Sequence, residues 1–345
     1  MMIRKYISLP VLFVVAVQSY IAVCILTTLE TVTETRNAVV PIEDRKVGAG
    51  KKIKILLFGD LNAYKLFTMQ RTSVECYAGL QGYETQWLFP SPACVESSAN
   101  IFFQKICTIY EQMVHSSNVE WFVVLDGDNF VMNPNHRIES FLDDSKDVIH
   151  FLRFHNNEVA AGNYIVRNTE WGRNYIKEWY GLQDVNKYSG MNADNGALHF
   201  HLLHHLAPST TKGWKECKRL GMIGVDYDSF VACFHHVVKQ TGCVGMDWPH
   251  IRITHGAKGI FIDGWSVGFK WSNSTFMHHA VKKNDLSNYK FEFVCDESWD
   301  IPETNRVSQE EYDLLVESEL KIHRQNFSQN SWDDASCIEN DGKKQ

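Results

Sequence analysis

Asp126-Gly127-Asp128 sets two carboxylates one residue apart. Carboxylate oxygens are hard donors, and two so close can hold Mg²⁺ or Mn²⁺, which in turn can carry a diphosphate. Gly127 between them would let a diphosphate approach the main chain. The same three residues also suit a plain turn, because Asp bonds its own backbone. What precedes them favours a site. Trp121-Phe122-Val123-Val124-Leu125 is an unbroken apolar run that reads as a strand buried on both faces of a parallel sheet. At the carboxyl end of such a strand, α/β proteins open the crevice that binds their ligands. Asp128 is then the direct ligand, and Asp126 binds a ribose or reaches the metal.

Other residues could do chemistry, each with a plainer reading beside it. His201 and His205 share a helical face at i, i+4, as zinc ligands do, but no Glu lies between them and no third ligand is evident. They read as a helix flank with His199 and His204, and His235-His236 and His278-His279 read the same way. Asp194 opens a helix, so it is either an N-cap or a site carboxylate facing a sugar and an acceptor hydroxyl with Asn195. Gly162 and Asn163 either contact a sugar or mark a bulge. His255 stands at a late strand end, where imidazole could complete a metal site, and Lys258 three residues on could neutralise a diphosphate. Trp171, Trp179 and Phe130 read as core.

These residues need a scaffold, and the pattern supplies one. Ile53 to Phe58 reads as a strand, Leu61 to Leu80 as a helix, Tyr83 to Phe89 as a strand and Ala99 to His115 as a helix before the central strand. Strands follow over Asp147 to Phe154 and Val159 to Val166, then helices over Trp171 to Trp179, Asn192 to Leu206 and Phe230 to Lys239. Ile251 to Thr254 and Gly259 to Ile262 read as short strands. Strand and helix alternating at this spacing predict an α/β domain with a mostly parallel central sheet.

The ends and the composition bound the setting. Arg4 and Lys5 precede an apolar segment over 7–28, about 20 residues or about 30 Å as a helix, enough to cross a bilayer. Basic residues on the short side make 1–6 a cytoplasmic tip. A cleaved signal peptide is the rival reading, and the length of the run favours an uncleaved anchor. Either way the chain is expected in the secretory pathway. Residues 29–51 read as a polar stem, 52–295 as the catalytic domain and 296–345 as a loosely packed acidic tail. Of nine cysteines one lies in the anchor, and the remaining eight allow roughly 105 pairings without choosing one. Asn273-Ser274-Thr275 and Asn326-Phe327-Ser328 are glycosylation sequons. A formal charge of −7 and the lack of a basic stripe exclude nucleic acid as partner.

Several segments in order, over roughly Lys52 to Trp265, resemble the galactosyl-, mannosyl- and xylosyl-transferase family of Golgi enzymes, the yeast mannan and plant xyloglucan type. The resemblance is closer still to a nematode-expanded family of relatives. It rests on Tyr77-Ala78 with Gly82-Tyr83, Lys105, Trp121 to Pro134, Ala161 to Asn168 with Trp171 and Trp179, Asp194 to Leu198, and His255-Gly256. The chain departs at Ala160 and Asn195, where that family has Asn and Gln.

The resemblance implies a GT-A-like fold and a nucleotide-sugar donor, UDP-sugars favoured. It further implies a Mn²⁺ (or Mg²⁺) cofactor, a glycan or glycoprotein acceptor, and retention of anomeric configuration. In site residues it implies Asp126, Asp128 and His255 on the metal. Asp126, Gly127, Lys105, Gly162, Asn163 and Lys258 fall on the donor, and Asp194 and Asn195 at the reacting centre. The expected location is the Golgi or endoplasmic reticulum membrane, single-pass type II. Two rivals stand beside it: a GT-A-like domain that binds without transfer, and a D-x-D phosphatase, which needs a later acidic pair where Asp143-Asp144 comes early.

Overall fold

The computed structural model describes residues 51–327 apart from 154–155, 189–192, 224–226, 242–245, 256–259, 283–284, 286–294 and 296–304. The anchor expected over 7–28 lies outside the described residues, as do most of the stem, Lys258 and the cysteines at 243 and 337. Among the described residues no helix is long and apolar enough to cross a membrane.

The chain opens with β1 (Ile53–Phe58), α1 (Leu61–Leu66), α2 (Thr68–Gln81), β2 (Glu84–Leu88), α3 (Pro92–Ser97), α4 (Ile101–His115) and β3 (Trp121–Asp126). Next come β4 (Phe130–Val131), β5 (Val148–Leu152), β6 (Val159–Arg167), α5 (Glu170–Tyr180) and α6 (Ala193–Leu206). The described part closes with α7 (Trp214–Ile223), α8 (Tyr227–Lys239), β7 (Ile251–His255), β8 (Phe261–Asp263), β9 (Met277–His279) and α9 (Gln309–Phe327).

Six strands form the main sheet in the order β2-β1-β3-β6-β5-β7, and β4-β9-β8 form a second, small sheet. β2, β1 and β3 are parallel, and β7 runs parallel to β5. β6 is antiparallel to both its neighbours, so the sheet is mixed: five strands share one direction, as the mostly parallel pattern predicts, and β6 alone is reversed. The reason is the connection. The chain passes from Leu152 to Val159 too quickly for a crossover, and a short link can return only antiparallel. Alternation of apolar residues does not report strand direction.

The central strands are apolar throughout because both faces are covered. Leu56, Phe122 and Val124 pack on one side with Ile106 and Ile109 of α4, Trp179 of α5 and Leu202 of α6. Ile55, Leu57, Val123 and Leu125 pack on the other with Val74 and Tyr77 of α2, and with Phe261 and Met277 of the small sheet. Local signals set the ends. Thr169 caps α5 by accepting from the Gly172 N–H, and Gly82 ends α2 at φ 77°, a conformation that suits glycine.

Other departures are local. The helix expected from Leu61 to Leu80 breaks at Phe67 into α1 and α2, the short strand expected over Gly259 to Ile262 is β8, and α3, α7, β4 and β9 are additional. Disulfides Cys94–Cys107 and Cys217–Cys233 tie α3 to α4 and α7 to α8, and Cys76–Cys295 ties α2 to the last residue of the expected catalytic domain. Within the stretch expected to be a loose tail, Gln309–Phe327 instead form α9, whose Tyr312 and Val316 pack on Ile262 and Val267. Two apolar residues one turn apart are too sparse to announce a helix.

Buried histidines give the fold a pH signature. His150 bonds the Tyr175 hydroxyl at 2.8 Å, and His235 Nε2–H donates to the Asn157 carbonyl at 2.5 Å. Burial pushes both down to about 3 from an ordinary 6.5. On unfolding they regain the ordinary value, so the unfolded chain takes up protons that the folded chain refuses. The stability they leave intact above about pH 7 is therefore lost progressively below about pH 6.5. The urea midpoint is expected to fall between about pH 7.5 and about pH 5, above the range where carboxylates titrate. A flat midpoint over that interval would contradict this account.

Candidate functional site

β3 carries Asp126 to the carboxyl end of the parallel strands, and the turn that follows brings in a buried Asp128. The turn is held from β6. Asn163 Oδ1 accepts from the Asp126 N–H at 3.1 Å and from Asn129 Nδ2 at 2.8 Å. Gly162 makes room for the carboxylate, since a Cβ there would lie 2.1 Å from Asp126 Oδ2. Gly127 is under the Trp87 ring, 2.6 Å from where its Cβ would be. Gly127, Gly162 and Asn163, three of the six residues that the resemblance assigns to the donor, thus have a packing reason as well.

Two charge centres meet at Asp126. The first contains Asp126, Asp128 and His279, which each offer a ligand atom within 4.8 Å of the others. His279 Nε2 lies 3.7 Å from Asp126 Oδ2 and 3.5 Å from Asp128 Oδ1, while its Nδ1–H donates to Asp263 Oδ1 at 2.6 Å. Burial opposes a charge on His279, but the surrounding Asp128, Asp126 and Asp263 prevail and hold it up to about 9. Asp128 Oδ1 is buried without a hydrogen-bond partner among the described residues. A carboxylate oxygen so placed is costly unless it meets a cation. Two carboxylates and an imidazole fit a divalent ion, and the nitrogen suits Mn²⁺ better than Mg²⁺. Asp263 orients the imidazole in the manner of metal-bound histidines. At the mouth Lys282, its side chain 59% exposed, pairs through Nζ with Asp128 Oδ2 and lies 5.6 Å from the Phe67 ring.

The second centre is Lys105 of α4. Its buried Nζ donates to Asp126 Oδ1 at 3.1 Å, to Asp194 Oδ2 at 2.9 Å and to the Ala161 carbonyl at 3.4 Å. Burial works against the ammonium, yet the two carboxylates outweigh it and keep Lys105 charged. The carboxylates are driven apart. Burial raises both, but Lys105 and His279 bring Asp126 well below the usual range, whereas Asp194, farther from solvent and beside Asp126, stays raised. Asp194 is seated by contacts between α6 and the part of β6 that runs past the end of β3. Asn195 Oδ1 accepts from the Ala161 N–H at 2.8 Å, and His199 Nε2 accepts from the Val159 N–H at 3.1 Å.

The structure therefore gathers Asp126, Gly127, Asp128, Lys105, Gly162, Asn163, Asp194 and Asn195 at one strand end. His255 closes β7 opposite Leu152, and Lys258 lies outside the described residues. His279, Asp263 and Lys282 have no role in the sequence reading, and one signal could have raised them: the His-x-x-Lys spacing of His255 and Lys258 recurs in His279 and Lys282. Glu178 joins His201 and His205 within 4.8 Å, but His201 Nε2–H is already given to the Tyr175 carbonyl at 3.0 Å.

A sequence model described as "Protein of unknown function, DUF273" matches residues 74–295, well over half of the chain. No curated protein matches it significantly. Among solved structures it is similar to a glycosyltransferase involved in glycosylation of the major capsid of PBCV-1, at 13% identity and TM-score 0.43, over 66% of this chain and 92% of that one. It is similar to the glycosyltransferase GlyE of Streptococcus pneumoniae TIGR4 at 11% identity and TM-score 0.34, over 81% of this chain and 64% of that one. With the galactosyltransferase LgtC, solved with donor and acceptor sugar analogs, the values are 10% and 0.35, over 77% and 95%. Likeness at that level carries no argument about chemistry, which rests on the residues.

The support around the cation site can be probed directly by Mn²⁺ titration. Asp263→Asn is expected to lower Mn²⁺ affinity about 10- to 100-fold, as loss of an orienting carboxylate does. Gly162→Ala is expected to abolish binding by displacing Asp126, with the circular dichroism spectrum retained. Unchanged affinity in both variants would show that the three side chains do not form a cation site.

Proposed function

The chain belongs to the DUF273 family, whose function is unknown, and from its site we propose a metal-dependent glycosyltransferase. It moves a hexose or pentose from a nucleotide-diphosphate sugar, UDP-sugars first and GDP-mannose second, to a glycan or glycoprotein acceptor. One observation carries the reading: an orphaned Asp128 oxygen facing His279 stands beside a buried lysine shared by Asp126 and Asp194. A cation centre and a fixed ammonium at one strand end suit a reaction in which a diphosphate leaves and a sugar carbon becomes electron-poor.

Asp126, Asp128 and His279 would hold Mn²⁺ or Mg²⁺, which when bound supplies Lewis-acid charge for the departing diphosphate. Asp263 keeps the His279 imidazole turned toward the two aspartates. Lys282, whose largely exposed side chain pairs through Nζ with Asp128 Oδ2, can turn to a phosphate oxygen. Lys105 fixes the Asp126 and Asp194 carboxylates, so neither swings when the sugar enters. Asp194 is buried and tied to Lys105, which suits orientation and charge rather than deprotonation of an acceptor. That supports retention of configuration. In this reading the apolar segment over 7–28 anchors the protein in the Golgi or endoplasmic reticulum membrane with the catalytic body in the lumen. The phosphatase alternative loses support, because Asp143 pairs with Arg252 and Asp144 with Lys51.

A panel of nucleotide sugars with Mn²⁺ tests the proposal. Hydrolysis or transfer should require the ion and disappear with chelator, and Asp128→Ala should cut turnover by about 100-fold or more. Equal turnover by the wild type and Asp128→Ala would reject the role given to Asp128.

A further inference from the structure

Neither the cation site nor the proposed transfer uses the sequon Asn273-Ser274-Thr275, which the fold places at the surface. It forms the turn that leads into β9, with Asn273 and Ser274 exposed and Thr275 buried. The main chain there is fixed. The Asn273 carbonyl accepts from Asn133 Nδ2 and from His136 Nε2–H, each at 2.8 Å, and Thr275 Oγ1 accepts from the Ser272 N–H at 3.1 Å. A turn needs no more than these bonds. Asn273 also lines a cavity of about 410 Å³, together with Arg306, Val307, Ser308 and Gln309. That volume falls within the roughly 300–1,000 Å³ of small-ligand sites. Arg306 Nη2 donates to Asn273 Oδ1 at 2.9 Å. The bond holds the amide by its oxygen and leaves Nδ2, the atom that carries an N-linked sugar, outside it.

Resting on the secretory reading above, we propose that Asn273 is N-glycosylated and that the first N-acetylglucosamine of its glycan occupies this cavity, against the start of α9. The modification replaces one Nδ2–H by a bond to the anomeric carbon of an oligosaccharide carried on a lipid diphosphate. The carbon–oxygen bond to the diphosphate breaks, the diphosphate leaves with the electron pair, and the amide proton goes to solvent. The cavity suits a sugar because its walls are mostly polar. The Ser308 oxygen accepts from the Glu311 N–H at 3.1 Å, so its own O–H remains to be donated to a sugar oxygen. Gln309 Nε2 donates to Ser274 Oγ at 2.9 Å, so a sugar seated there extends a contact that already ties the turn to α9.

The full chain expressed in cultured animal cells tests this. Peptide mass spectrometry is expected to find a glycan on Asn273, and Asn273→Gln to abolish the corresponding gel shift. Wild-type protein trimmed by an endoglycosidase to the one attached sugar is expected to keep the hydrogen-exchange protection of the first turn of α9. In Asn273→Gln that exchange is expected to run about fivefold faster, for want of one hydrogen bond. Alkylation of Cys94, Cys107, Cys217 and Cys233 reports separately whether the chain met an oxidising compartment, since these form two disulfides. Formed disulfides with an unmodified Asn273 overturn this inference and leave the secretory reading standing. Free thiols with no glycan overturn the secretory reading and this inference with it. A glycan on Asn273 with equal exchange in the trimmed protein and in Asn273→Gln overturns the seat of the sugar in the cavity.

Discussion

A buried ammonium cannot stand alone, and Lys105 organises the molecule around that fact. Taking such a charge out of water costs several kcal/mol, and removal of one partner from a buried pair typically costs about 3–5 kcal/mol. Lys105 is met by Asp126 from β3, Asp194 from α6 and the Ala161 carbonyl from β6. Four elements are thereby brought to one point, and each carboxylate is fixed by a contact it cannot lose cheaply. The position of α6 over the free end of β6 follows from the same need, with Asn195 and His199 taking the N–H groups that β3 is too short to reach.

A second chain of alternating charge leaves Asp126 in the opposite direction. It runs through His279 and Asp263 to Arg153, then to Glu158 and the hydroxyl of Tyr227, 2.6 Å from Glu158. The small sheet is joined to the main one along this line. β9 contributes His279 and β8 contributes Asp263, and their parallel pairing sets those two residues side by side. Asp126 is therefore pulled by a fixed lysine on one flank and by a histidine on the other, which explains a carboxylate held ionised at low pH.

The sequence shows the middle of this arrangement well and its edges poorly. An apolar run such as Trp121 to Leu125 has few other uses than a doubly covered strand, so the central strands and the Asp126-Gly127-Asp128 turn could be located from residue type. His279 could not, because β9 is three residues long, too short for a period, and its histidine pair looks like any polar flank. Arg153 and Asp263 are ordinary surface residue types until the fold buries them.

By itself, then, the order of residues determined where apolar strands must lie, where helices must start and end, and which carboxylates must emerge at a strand mouth. These are local matters, set by alternation, capping and side-chain chemistry within a few positions. Only the tertiary structure decided that Cys76 pairs with Cys295 and which distant histidine and lysine reach the two aspartates. Those depend on chain closure over more than a hundred residues, where burial of whole faces, rather than any local preference, selects the neighbours.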